Sequence, residues 1–227
     1  MRWTKKEETM AIKVVVVDDH GVLREGLRLL IEQQAELELV GEAEDGRKAV
    51  TIVGELKPDI VLMDVSMPGL NGIEATRQIL AENSDVKVLA LSAYSNKRFI
   101  TEMLKIGVSG YILKDSASEE LVRAIFSVAA GDNYLCPKAA SLVIEDYKQN
   151  SKSFVNGSPL DILTAKEREL LQLLAEGISA KEAAKLLHVS VKTTDARRRE
   201  TMNKLGITSM AELTKFAIRE GLTSLEF

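Results

Sequence analysis

The chain has 227 residues, 45% of them hydrophobic and 28% charged, and a net charge of −4. That length admits one or two domains, each large enough to bury its own core, and the balance excludes disorder through the bulk of the chain. The earliest apolar run, Ala11 to Val17, is broken by Lys13 and ended by Asp18-Asp19, far short of the roughly 20 residues of a bilayer span, and it has no leader cleavage site.

The polar, charged stretch 1–10 reads as an N-terminal extension, with Met10 a second candidate start. From residue 11 two periods alternate. Ile12–Val17 is a β-branched run that suits a buried strand, and Val22, Leu23, Gly26, Leu27, Leu30 and Ile31 recur at helical spacing. Leu37–Ala43 reads as a strand, Arg47–Leu56 as a helix, Ile60–Met63 as a strand, and Ile73–Ala81 as a helix. Val86–Leu91, Lys97–Ile106 and Gly110–Leu113 continue the alternation. Ser118–Ala130 closes it as a helix capped by Ser118, with Glu119 and Glu120 in its first turn. Five strand–helix pairs in succession predict an α/β doubly wound, five-stranded parallel sheet covered on both faces, which fixes residues 11–131 as the first domain.

Gly131 stops that pattern. Residues 132–160 read as a linker, with room for one more helix over Pro137–Tyr147 and a polar stretch over Lys148–Leu160. Beyond it, 161–227 reads as a small all-α, four-helix domain. Thr164 caps Ala165–Ala175 with Glu167 completing a capping box, Ser179 caps Ala180–Leu187, Ser190 caps Val191–Leu205, and Ser209 caps Met210–Arg219. His188-Val189-Ser190 joins two of these as a helix-turn-helix. The lone Cys136 excludes an internal disulfide, fits a reducing cytosol, and reads as a small apolar core or surface residue ahead of a thiol nucleophile.

Charge is distributed unevenly. Residues 1–159 carry 19 Lys and Arg against 24 Asp and Glu, a net −5, whereas 160–227 carry 11 against 10. Within 192–204 five basic residues (Lys192, Arg197, Arg198, Arg199, Lys204) face two acidic ones (Asp195, Glu200), a net +3. Phosphate binding depends on such a local stripe more than on global charge. In a helix-turn-helix the second helix enters the major groove with its N-terminal residues at base edges. Lys192, Thr193, Ala196, Arg197 and Arg199 are the contact candidates on that helix.

Sites in open parallel sheets lie at the carboxyl ends of the strands. There the sequence places Asp18-Asp19 after the first strand, Asp64 after the third, Ser92 after the fourth and Lys114 after the fifth. Three clustered carboxylates repel and cannot all stay ionised unpaired, which calls for a hard divalent cation such as Mg²⁺. A carboxylate beside Mg²⁺ is suited to accept a phosphoryl group, with Lys114 pairing with the phosphate and Ser92 donating a hydrogen bond to it.

The segments Val-Val-Val-Val-Asp-Asp-His (14–20), Asp-Ile-Val-Leu-Met-Asp-Val-Ser-Met-Pro-Gly-Leu-Asn-Gly (59–72), Leu-Ala-Leu-Ser-Ala-Tyr (89–94) and Gly-Tyr-Ile-Leu-Lys-Asp (110–115) resemble a receiver domain over about residues 11–130. The resemblance implies a CheY-like sheet of order 2-1-3-4-5. It implies Asp64 as phosphoacceptor; Asp18, Asp19, Asp64 and the Ser66 backbone carbonyl as Mg²⁺ ligands; Ser92 and Tyr111 as a coupled switch; and Lys114 as phosphate clamp. Leu-Thr-Ala-Lys-Glu-Arg-Glu-Leu-Leu-Gln-Leu-Leu-Ala-Glu-Gly-Ile-Ser (163–179) and Lys-Glu-Ala-Ala-Lys-Leu-Leu-His-Val-Ser-Val-Lys-Thr (181–193) resemble a LuxR-type output domain. The whole chain is thus similar to NarL/FixJ response regulators. That implies a cytoplasmic protein phosphorylated by a sensor histidine kinase, no enzyme beyond its own phosphotransfer and dephosphorylation, homodimeric on phosphorylation, and bound to double-stranded DNA. Lys181, Ser190, Lys192, Thr193, Ala196, Arg197, Arg198 and Arg199 are the DNA contacts this reading assigns.

Four positions depart from the family pattern: Thr194 and Thr201 stand where Val and Ile are usual, Arg197 where His is common, and Glu200 where a basic residue is common. Buried hydroxyls need partners, and an acidic residue facing DNA repels phosphate. These departures keep open an alternative in which the helical domain binds a protein partner. An aspartyl-nucleophile phosphatase is disfavoured, because a second Asp is expected two residues after the nucleophile and Ser66 occupies that place. Spacing gives His20 and His188 no metal site, and His188 is assigned to the turn.

Overall fold

The computed structural model describes residues 11–93, 97–150 and 159–223. The N-terminal extension, Tyr94 and most of the polar linker stretch fall outside the described residues. Strand β1 (Ile12–Val17) leads to α1 (Gly21–Glu32), β2 (Leu37–Ala43), α2 (Gly46–Leu56), β3 (Ile60–Asp64), α3 (Gly72–Glu82), β4 (Lys87–Ser92), α4 (Lys97–Ile106), β5 (Gly110–Leu113) and α5 (Ser118–Ala129). Then follow β6 (Tyr134–Leu135), α6 (Pro137–Asn150), α7 (Ala165–Ala175), α8 (Ala180–Leu186), α9 (Val191–Leu205) and α10 (Met210–Arg219).

The strand residues alternate between two cores, the period-2 rule of a pleated sheet. Val15, Val17, Val61, Met63, Val88, Ala90, Tyr111 and Leu113 face α2, α3, α4 and α6. Val14, Val16, Ile60, Leu62, Leu89, Leu91 and Ile112 face α1 and α5. Burial on both faces explains why the strands are near-continuous apolar runs. Each fully buried Val, Leu or Ile contributes about 1.5–3 kcal/mol of transfer free energy.

The sheet order is β2-β1-β3-β4-β5-β6, all parallel, so the expected order holds but the sheet has six strands where five are expected. The sixth comes from the stretch read as linker. Tyr134 N–H donates to Ser109 O at 3.0 Å and Cys136 N–H to Tyr111 O at 3.0 Å. Two residues are too few to leave a periodic signal. Helix α6 forms as anticipated and extends to Asn150, so Lys148, Gln149 and Asn150 are helical. The α5 cap is also corrected. Ala117, extended at φ −64° and ψ 148°, is the N-cap without a side-chain bond, and Ser118 is the first helical residue. Glu119 and Glu120 still complement the helix N-terminus.

In the helical domain Leu160, Leu163, Leu170, Leu171, Leu174, Leu213 and Phe216 form a third core. The boxes at Thr164/Glu167, Ser179/Glu182 and Ser209/Glu212 are all formed, and Ser190 accepts from Thr193 N–H. Cys136 is buried and free. Among the described residues no helix is long and apolar enough to cross a membrane.

Candidate functional sites

Strands β1, β3 and β5 deliver their terminal residues to one edge. Lys114 Nζ lies 2.7 Å from Asp18 Oδ2 and 2.8 Å from Asp64 Oδ2, bridging residues 46 apart in sequence. Both carboxylates are buried, Asp64 at 1% exposure and Asp18 at 0%. Ser66 N–H donates to Asp64 Oδ1 at 3.1 Å, and His20 N–H to Asp18 Oδ1 at 2.9 Å. Gly72 makes the loop after β3 possible. Its amide bonds Val65 O at 3.0 Å, and a Cβ built there would lie 1.9 Å from Asp64 O.

The fold adds a residue that spacing missed. His20 Nδ1 sits 2.8 Å from Asp19 Oδ1 and 3.4 Å from Asp18 Oδ1. One ligand atom each of Asp18, Asp19, His20 and Asp64 lies within 4.8 Å of the others. The signal was adjacency: a His directly after a strand-end acidic pair shares its turn.

Burial pushes the Asp64 carboxyl up to about 7, with the Asp18 charge adding to the rise against the pull of Lys114 and the Ser66 amide. Burial alone would lower Lys114, but Asp64 and Asp18 hold its ammonium above the usual value. The phenol of Tyr111, fully buried, is also raised by burial, against a side-chain hydrogen bond with the buried Ser92. The two residues of the expected switch are therefore in contact.

The second site is on α9. Ser190 and His188 form the turn, His188 at φ 51° in the left-handed region. Lys181, Ser190, Lys192, Thr193, Ala196 and Arg199 are exposed, and Arg197 and Arg198 half-buried. Arg198 pairs with Asp195 at 3.2 Å and Lys204 with Glu167 of α7 at 2.7 Å. Glu200 projects into solvent and meets Lys204 at 3.3 Å. Thr194 and Thr201 are buried, as their positions implied. Thr194 Oγ1 donates to Ser190 O at 3.3 Å, whereas Thr201 Oγ1 has no partner among the described residues.

A third feature was not legible in the sequence: α7 and the turn after α10 dock on the β3–α3 loop and the helices beside it. Gln172, 1% exposed, accepts from Asn71 N–H at 3.2 Å and donates to Met67 O at 3.2 Å and Glu176 Oε1 at 2.7 Å. Glu176 accepts from Gly69 N–H at 3.2 Å, and Asn71 Nδ2 donates to Leu222 O at 3.0 Å. Arg168 grips Glu74 at 2.8 and 3.3 Å, and Arg47 pairs with Glu169 and Arg98 with Glu220. Gly221, at φ +75°, lies so close to Phe99 that a Cβ would be 2.9 Å from its ring.

The receiver family, "Response regulator receiver domain", matches residues 14–126, and "Bacterial regulatory proteins, luxR family" matches 161–217. The chain is 34% identical over 222 residues to "Transcriptional regulatory protein DegU" of Brevibacillus brevis, covering 92% of this chain and 94% of that protein. It is 36% identical over 214 residues to "Oxygen regulatory protein NreC" of Staphylococcus carnosus (strain TM300), covering 93% of this chain and 99% of that one. Among solved structures, RcsB from Salmonella enterica serovar Typhimurium, bound to promoter P1flhDC with the phosphomimetic BeF3-, superposes with a TM-score of 0.60 at 26% identity, covering 93% and 99% of the two chains. With an acidic strand-end pocket, a capped helix-turn-helix and relatives matched over nearly their full length, the chain belongs to the NarL/FixJ family of response regulators, a receiver domain followed by a LuxR-type output domain.

Proposed function

We propose that this chain is a phosphorylation-controlled transcription regulator in which Asp64 accepts a phosphoryl group from a sensor histidine kinase. The observation that carries the reading is the Lys114 ammonium held between Asp18 and Asp64 at 2.7 and 2.8 Å. The oxygen-rich donor set fits a hard cation. Asp18, Asp19, Asp64 and the Ser66 carbonyl would hold Mg²⁺, which when bound supplies charge neutralisation for the incoming phosphoryl group. A carboxylate oxygen of Asp64 attacks phosphorus, the phosphorus–nitrogen bond of the kinase phosphohistidine breaks, and the electron pair stays on the imidazole. Lys114 then pairs with the transferred group, and Ser92 turns from Tyr111 to hydrogen-bond it, which frees the Tyr111 ring to move. Water later hydrolyses the aspartyl phosphate, so the chemistry of this chain is limited to its own phosphotransfer and dephosphorylation.

In this reading residues 11–131, extended by β6 and α6, form the receiver, the polar stretch after α6 the connection and 161–227 the output domain of a cytoplasmic protein. Phosphorylation favours a homodimer that binds double-stranded DNA in paired half-sites. Ser190, Lys192 and Thr193, at the positive N-terminal end of α9, and Ala196 lie against the groove. Arg197, Arg198, Arg199 and Lys181 serve phosphates and base edges. The relative named as a transcriptional regulatory protein and the promoter-bound RcsB support DNA over a protein partner.

The test is DNA binding and sizing of wild type and Asp64→Ala with Mg²⁺ and either acetyl phosphate or beryllofluoride, on promoter-derived and random duplexes. Wild type should dimerise and bind more tightly on activation, and Asp64→Ala should do neither. If neither protein binds any duplex at low salt, the output domain serves a protein partner.

A further inference from the structure

The phosphoacceptor is followed by a loop whose backbone is tied to the other domain. Residues 65–71 contain Ser66, the expected carbonyl ligand, and run directly from Asp64. Three backbone groups of this loop, Met67 O, Gly69 N–H and Asn71 N–H, are bonded by side chains of α7 and its C-cap, Glu176. Gln172 takes two of the three. Its amide is the one side-chain group at the contact that both donates to and accepts from the loop backbone, and it is almost wholly buried. Asp64 and Asp18 are themselves buried, each with its Oδ2 on Lys114. With Asp64 only 1% exposed, its carboxylate meets a phosphoryl donor through local movement, and the loop that runs on from it is the adjoining segment.

We propose that Gln172, although in the output domain, is a positioning residue of the phosphorylation site: by tethering Met67 and Asn71 it holds the loop closed and slows phosphoryl transfer to Asp64. The proposal rests on the reading of Asp64 above and extends it, because the output domain then sets the rate of the receiver's chemistry. Glu176 is the second tether, through Gly69. The ion pairs between the domains, Arg168 to Glu74, Arg47 to Glu169 and Arg98 to Glu220, dock the domains without touching the loop backbone.

The test uses the full chain carrying Gln172→Met, which keeps the side-chain length and removes both hydrogen bonds to the loop. Two quantities are read: amide hydrogen exchange of the segment 67–72, and the rate of phosphorylation by acetyl phosphate with Mg²⁺. Exchange at Asn71 should accelerate while the β3 amides 61–63 keep their protection, and phosphorylation should run at least about fivefold faster, the scale of one of the two hydrogen bonds lost. Glu176→Ala, at a partly exposed position, should shift both in the same direction by less. Faster exchange with an unchanged or slower phosphorylation rate would overturn the proposal, as would no change in either quantity. If wild type forms no phosphorylated species while Asn71 exchange still responds to Gln172→Met, then the assignment of Asp64 fails and the proposal falls with it.

Discussion

Asp64 is 1% exposed and is held by an ion pair, a backbone amide and strands on both sides, whereas the basic face of α9 stands in solvent on a helix whose only buried side chains are Thr194 and Thr201. The difference teaches how each site tolerates change. In the pocket, residue type, backbone path and charge are mutually constrained, so a single atom out of place propagates to all of them. On α9 the exposed side chains are separate from one another's packing, and the fold is largely indifferent to which residue stands at each position.

The strongest way to break this comparison is Gly72→Ala. The new Cβ would sit 1.9 Å from the Asp64 carbonyl, and both are backbone-fixed. Overpacking of this kind costs about 3 kcal/mol or more, so calorimetry should show a large drop in Tm. A wild-type Tm would mean the pocket backbone is far more yielding than its burial suggests. Next comes Thr201→Val, which replaces a buried hydroxyl lacking a partner among the described residues. Denaturant unfolding should show a gain of about 1–2 kcal/mol, and a loss would mean the hydroxyl is satisfied in solution.

Arg199→Ala should leave the fold unchanged. It should weaken DNA binding by about 1 kcal/mol, roughly fivefold, and lower the salt slope by about one if the contact is a phosphate. A complete loss of binding would show that α9 is as constrained as the pocket. The smallest effect concerns pH. Burial raises Glu176, against the bonds from Gln172 and the Gly69 amide. Burial also raises Glu169 (the nearby Glu74 adding to the rise), against Arg47, Arg197 and Lys166. The docked form therefore binds a proton more tightly than the undocked form. Acidification through the window between the two values strengthens docking, and raising pH weakens it. Spin-label distances between the domains should narrow on going from neutral to mildly acidic solution.

Much of this was legible before the structure. The pocket could be read because strand ends in a parallel sheet converge, so Asp18, Asp64, Ser92 and Lys114 were assigned to one edge from element order alone. The caps Thr164, Ser179, Ser190 and Ser209 were readable because capping chemistry is local. The failures are as instructive. Ser118 reads as a cap because it precedes an apolar helix, yet the backbone turns one residue earlier, at Ala117. Strand β6 is two residues long and depends on a neighbour far away in sequence. His20 joins the acidic cluster because it follows the strand-end pair in the same turn, a signal of adjacency that metal-ligand spacing patterns do not include. The tethers from Gln172 span 101 and 105 positions to Asn71 and Met67, and no periodicity marks a polar residue on the apolar face of α7 as a partner for a distant loop.

The sixth strand has a practical consequence. A sheet edge with unpaired amides and carbonyls is a template for another chain, and proteins cover such edges. Here Tyr134 and Cys136 close the outer side of β5, and α6 folds over the same corner against α4. A receiver cut after residue 131 would therefore carry a sticky edge along Gly110–Leu113 and lose the cover over Tyr111, so a well-behaved isolated receiver requires the chain to run through α6.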